Sequence, residues 1–369
     1  MNLCCCKLDM TSYGFKFLLF NIFVVTFYFL SILNTNDDDI STNKFTVYEP
    51  QHSTGEVFQY NVSTHNMNDL RQLIDLNDFQ FMLNNYPCHK TNFDEISDQS
   101  DQNNYEKNIF LLIFIHSSVN NFHKRQVIRE TWGSLTNVSH YQIRKVFLVG
   151  LTNDPQSQSK LIVENNAHHD IIQGNFIDSY RNMTYKHIMG LKWVSYHCQT
   201  AKFILKTDDD IFVDVFQMVP YLRGYMINLQ PPKNLISCYL IERPVVKRNP
   251  ASKWFISYED YPDTYFPPYC YGWGVIMSPD IVNNLYIESK NATYFWIDDV
   301  FVTGILAERL KVQHVDLEPK LALNADNILQ WLASDSLSLP PLLGHPEVVE
   351  NSSTVYSLWN KTKAYHLKI

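Results

Sequence analysis

Short continuous apolar runs alternate along this chain with segments whose apolar positions recur at helical spacing. Ile109 to Ile115 is an unbroken apolar run of strand length, suited to burial on both faces of a sheet. His123 to Trp132 follows with helical spacing of Val127, Ile128 and Trp132, and Arg144 to Gly150 reads as a second strand ending in glycine. Lys160 to His168 reads as a helix, Asp170 to Ile172 as a short strand, and Tyr185 to Cys198 as a helix facing inward through Ile188, Leu191, Trp193 and Val194. Ala201 to Leu205 is again a strand. This alternation predicts an α/β fold with a mostly parallel sheet and helices on both faces.

The last of those strands delivers Lys206-Thr-Asp208-Asp209-Asp210, and Ile211-Phe212-Val213 follows at once. Three carboxylates between two apolar segments repel one another unless a cation neutralises them. Carboxylates two residues apart in a turn can converge on one divalent ion, and an ion with open positions can clamp a diphosphate. The end of a parallel strand is also where ligands bind in open α/β sheets. Glycine-rich phosphate loops are absent, so nucleotide binding would rely on a metal and basic side chains.

Beyond Pro231-Pro232 the texture changes. Ser257 to Tyr271 is crowded with Tyr, Pro and Phe, which rules out a helix there and predicts an aromatic wall of the kind that stacks on sugars. Gly272 and Gly274 permit close backbone approach before Val275 to Met277. Tyr294-Phe-Trp-Ile297 then runs into Asp298-Asp299-Val300, with helical character over Phe301 to Leu310. A carboxylate pair at the edge of an apolar run suits a catalytic base, while capping of the helix by Asp298 is the competing role.

The N-terminus adds an address. Phe17 to Leu33 is almost wholly apolar, with Lys7 and Lys16 before it and Asp37 to Asp39 after it. That pattern predicts a cytoplasmic tail over 1–16, a signal anchor over 17–33 and a lumenal remainder, with a cleaved signal peptide as the rival. Residues 34–77 read as a polar stem and 78–369 as the folded domain. Sequons at Asn61, Asn137, Asn182, Asn291 and Asn351 agree with a lumenal address, and Cys4 to Cys6 could be acylated beside the membrane. Cys88, Cys198, Cys238 and Cys270 allow three complete pairings. A net charge of −8 without basic stripes argues against nucleic acid.

Taken together, the motifs resemble the β-1,3-glycosyltransferase family (glycosyltransferase family 31), which includes β-1,3-galactosyltransferases and β-1,3-N-acetylglucosaminyltransferases. The resemblance rests on Arg125-Gln-Val-Ile-Arg129-Glu-Thr-Trp132-Gly133, Phe147 to Gly150, Glu164, Asp170 to Ile172, Phe176-Ile-Asp178-Ser-Tyr180 and Asn182 to Lys186. It continues through Lys206 to Asp210, Pro268 to Gly272, and Asp298-Asp299-Val300 with Gly304, and spans roughly Phe79 to Trp359. It implies a GT-A nucleotide-sugar-binding fold in a single-pass type II Golgi membrane enzyme. The reaction implied is inverting, Mn²⁺-dependent transfer from a UDP-sugar to the 3-hydroxyl of a glycan on a glycoprotein or glycolipid.

Carried over residue by residue, the resemblance makes Asp210 the direct metal ligand, with Asp208 nearer the nucleotide and His345 the nearest candidate to complete the metal shell. Arg125, Arg129, Lys206, Asp208 and Asp209 fall to the donor side, and Asp299, with Asp298 beside it, to the base. His116, His168, His169, His187 and His197 are given no metal role, because none belongs to a tight ligand constellation in the sequence. The donor implied is UDP-galactose, with UDP-N-acetylglucosamine as the alternative. A catalytically silent lumenal glycan-binding protein is the reading from another class.

Overall fold

The computed structural model describes residues 71–88, 109–226, 230–317, 320–322, 325–334, 338–345 and 352–368. The expected tail and anchor, and residues 34–70 of the stem, lie outside these. None of the described helices is long and apolar enough to cross a membrane.

The main sheet is built from β1 (Phe81–Leu83), β2 (Ile109–His116), β3 (Asn137–Val138), β4 (Tyr141–Leu151), β5 (Ile171–Ile177), β6 (Phe203–Asp208), β8 (Leu235–Ile241), β9 (Tyr269–Met277) and β10 (Gln313–Asp316). Its order is β1-β5-β4-β2-β6-β9-β8-β10, with β3 against β4. The block β5-β4-β2-β6 is parallel throughout. The expectation of a mostly parallel sheet needs correction beyond it, because β9 runs antiparallel to both β6 and β8 and β1 antiparallel to β5. A small second sheet joins β11 (Leu321–Ala322), β12 (Leu343–Gly344) and β7 (Phe212–Val213).

Every residue of β2 is buried, because the sheet is covered on both sides. Alternation along the strand sends Leu112 and Phe114 into one core and Leu111, Ile113 and Ile115 into the other. Helices α1 (Phe122–Glu130), α2 (Pro155–His168), α3 (Met183–His197), α4 (Val215–Arg223) and α5 (Pro279–Ser289) supply much of the cover. Asp154 caps α2 by accepting from the amides of Gln156 and Ser157, which starts the helix earlier than its apolar spacing alone predicts. The segment expected as helix after Asp299 is a π-helix over Val300–Leu306, continuing through Ala307–Arg309.

Packing reaches further back than the expected domain start: Leu73 is fully buried, and the carbonyl of Gln72 accepts from Lys192 in α3. Of the three pairings open to the cysteines, the fold makes Cys88–Cys198 and Cys238–Cys270. The second staples β8 to β9, neighbours in the sheet.

Candidate active site

The carboxyl ends of β2 and β6 lie side by side, with His116 in register with Asp208. Strand β6 carries Lys206 and Asp208, and the turn after it carries Asp209 and Asp210. These three carboxylates do different work. Asp209 turns inward, accepting from the Ser117 hydroxyl and the Asn121 amide at 2.7 Å each and from Lys124 at 3.2 Å. Its oxygens are occupied by protein, so the expectation of a donor-binding Asp209 gives way to a structural role. Asp208 and Asp210 keep 31% and 40% of their side chains exposed and remain open to a ligand. Desolvation pushes the Asp208 carboxyl up to about 6 against the pull of Lys206, and the neighbouring Asp210 and Asp298 charges add to the rise.

Lys206 is buried between two groups of acids. Its ammonium donates to Asp208 at 2.8 Å and to the carbonyl of Gly272 on β9. Burial opposes its charge, but Asp208, Asp299 and Asp298 together hold it protonated well above the ordinary lysine range. A lysine in that setting is a fixed countercharge rather than a free donor to substrate.

On the other side of Lys206 lies the second acid pair. Asp298 is buried and 3.0 Å from Nδ1 of His187 in α3. Although burial works against it, that contact and Lys206 keep the Asp298 carboxyl below its usual range. Asp299 is partly exposed, and its carboxyl is pushed well above the usual range by desolvation and by the charge of Asp298, with Asp208 adding to them. The two adjacent carboxyls are thus driven in opposite directions, Asp298 down and Asp299 up. No local pattern singled out His187, whose ring belongs with Asp298 and Asp299 in a group of ligand atoms within 4.8 Å of one another. The expectation that no histidine joins such a constellation is therefore corrected. In this structure His187 meets Asp298 through Nδ1 and so supports that carboxylate.

Arg125 and Arg129 do not reach this cleft as free cations. Arg125 is fully buried, and all five of its N–H groups are spent: on Glu164 at 2.8 and 2.7 Å, the Ser117 hydroxyl, and the carbonyls of Ser118 and Val119. Arg129 pairs with Glu164 and with both oxygens of Asp170. The donor-binding expectation for these arginines is replaced by a positioning one. Arg125 holds Ser117, which in turn holds Asp209.

Asp178 and Lys186, which the motif pattern marked without a role, brace the same region. Asp178 accepts from the Gly150 amide at 2.9 Å and from Lys186 at 2.7 Å, and Lys186 also reaches the Ser117 carbonyl. His345 directly follows β12. Since Gly344 pairs with Phe212 in antiparallel register, His345 comes to the Asp210–Ile211 end of β7. Exposed aromatic rings occur in the Ser257 to Tyr271 segment, as Tyr258, Tyr265 and Tyr271, and also outside it, as Tyr180 and Trp254.

A strand-end carboxylate cluster thus faces a second carboxylate pair across the buried Lys206. Residues 123–318 match the family model described as Galactosyltransferase, and the chain belongs to that family. It is 36% identical over 214 residues to β-1,3-galactosyltransferase 1 of Mus musculus and of Homo sapiens, a match covering 58% of this chain and 64% of that protein. It is 35% identical over 208 residues to β-1,3-galactosyltransferase 5 of Homo sapiens, covering 56% of this chain and 66% of the relative. The chain thus spans just under two thirds of these relatives' length. Among solved structures, the galactosyltransferase LgtC in complex with donor and acceptor sugar analogues aligns at a TM-score of 0.35 and 10% identity, covering 68% of this chain and 95% of that one.

Proposed function

We propose that this protein is an inverting β-1,3-galactosyltransferase of GT-A type, moving galactose from UDP-galactose to the 3-hydroxyl of an acceptor sugar on a glycoprotein or glycolipid. The observation that carries the reading is the division of labour across Lys206. Open carboxylates stand on the β6 side, and a single partly exposed acid with a raised pKa stands on the β9 side.

Asp299 accepts the proton of the acceptor hydroxyl as that oxygen attacks the anomeric carbon from the face opposite UDP. The bond to UDP breaks with its electrons on the departing phosphate, and one displacement turns an α-linked donor into a β-linked product. Asp298, held ionised by His187 and Lys206, supplies a negative field that raises the proton affinity of the Asp299 carboxylate and so strengthens it as a base. Asp208 and Asp210 fit a divalent cation, because they are crowded, partly exposed and oxygen-only. Asp210, Asp208 and His345 would hold Mn²⁺, which when bound offsets the charge developing on the leaving diphosphate.

The reading extends to the whole chain as a type II Golgi membrane protein anchored by residues 17–33, with its catalytic part in the lumen. The decisive experiment is a donor screen on the detergent-solubilised full-length chain, following UDP release from UDP-galactose and UDP-N-acetylglucosamine with defined glycan acceptors, with and without Mn²⁺. Linkage analysis must return a β-1,3-galactosyl product. Transfer only from UDP-N-acetylglucosamine, or a product linked elsewhere, would reject the proposal.

A further inference from the structure

We propose that Tyr180, Trp254 and Trp296 form a stacking platform for the second sugar ring of the acceptor, so that the substrate is an oligosaccharide rather than a single sugar. This rests on the assignment of Asp299 as the base.

The three rings come from three separate segments and meet on the surface beside that residue. Trp296 lies two positions before Asp298, and its ring centroid is 6.1 Å from that of Tyr180. Trp254 then extends the surface outward, because its indole N–H donates to the Tyr180 hydroxyl, at the far end of that side chain, at 2.8 Å. Tyr180 sits close enough to Asp298 and Asp299 for both to add to the rise that desolvation gives its phenol. The aromatic surface therefore runs from Trp296, two positions before Asp298, through Tyr180 to Trp254.

Large aromatic side chains are normally buried, yet Tyr180 is 54% exposed and Trp254 41% exposed. Arg181 lies 3.8 Å from the Trp296 ring centroid and Lys253 4.2 Å from that of Trp254. The loop bearing Trp254 is tied from within by Arg248, which donates to the carbonyls of Ile256, Ser257, Tyr261 and Asp263. Amphipathic rings, two of them exposed, fit the alternating C–H face and hydroxyl edge of a sugar.

Equilibrium binding to the full-length protein in detergent, with UDP and Mn²⁺ present, tests this independently of turnover. The probes are methyl β-glycosides of single sugars and matched β-linked disaccharides. The disaccharides should bind at least about tenfold tighter, an increment of about 1.4 kcal/mol. Trp254→Ala should erase that increment while leaving monosaccharide and UDP affinities in place, and Tyr180→Phe, which removes only the hydroxyl that orients Trp254, should lose part of it. Equal affinity for single and double sugars, no disaccharide binding, or a Trp254→Ala loss shared equally by both probe sets would overturn the proposal. Failure to transfer galactose would count against the proposed reaction instead and leave this measurement standing.

Discussion

The carboxylate of Asp299 occupies the space that a side chain at residue 272 would need: a β-carbon built on Gly272 would stand 1.8 Å from Oδ1 of Asp299. The Gly272 amide also donates to that carboxylate, while the Gly272 carbonyl accepts from Lys206. One glycine on β9 thus sets both the acid and its countercharge. Gly272→Ala should displace Asp299 and lower kcat by about 10²-fold or more, with UDP affinity retained. A variant with normal turnover would show that Asp299 does not depend on this seat.

The two acids of the pair should separate by substitution. Asp299→Asn keeps shape but removes the proton acceptor, so kcat should fall by about 10²–10⁴-fold. Asp298→Asn leaves His187 without its charged partner and should act through the positioning of Asp299, with a smaller loss of turnover. Measuring kcat and UDP affinity for both variants checks this. A dead Asp298→Asn beside a normal Asp299→Asn would reverse the assignment.

At the strand end, Asp210→Asn should abolish Mn²⁺-dependent transfer and weaken UDP binding, because Asp210 keeps 40% of its side chain exposed and stands 3.5 Å from Lys124. Asp209→Asn should instead lower thermal stability, since it weakens the tie between Asp209 and Lys124, Ser117 and Asn121. Mn²⁺ titrations paired with thermal melts distinguish the two. Near-normal turnover of Asp210→Asn at the same Mn²⁺ concentration would remove it from the metal site.

The buried ion cluster beneath the cleft carries a pH signature. Burial alone would raise the Glu164 carboxyl, yet Arg125 and Arg129 hold it below its ordinary range. A group depressed in the folded state stabilises fully above its unfolded pKa and loses that contribution as pH falls through its folded value. Glu164→Gln should therefore cost several kcal/mol at neutral pH, about 3–5 by analogy with broken buried pairs. The gap to wild type should close as pH drops below the carboxylate range. A gap constant down to pH 3 would mean that the ion pair contributes nothing.

Much of this was legible in the residues, for identifiable reasons. The run Ile109 to Ile115 could only be a strand buried on both faces, and a triple aspartate between apolar segments had few structural explanations. What periodicity could not carry was direction and partnership. Nothing local distinguishes the antiparallel β9 from a parallel strand, since a doubly buried strand reads the same either way. Likewise Arg125 and Arg129 read as free cations because their partners, Glu164 and Asp170, lie about 40 positions away along the chain. His187 escaped notice for the same reason, its partner Asp298 being 111 residues distant.

The Cys238–Cys270 bridge gives the cleft a manufacturing requirement. Cys270 stands two residues before Gly272 on β9, and its partner lies where the β8–β9 register shifts, between Cys238 and Leu240. Chain made in a reducing cytosol would lack the staple beside the one glycine that seats Asp299. It could then fold its parallel half, with β2, β4 and β5, and still leave Asp299 misaligned. Recombinant protein that melts cooperatively but turns over slowly should first be assayed for free thiols.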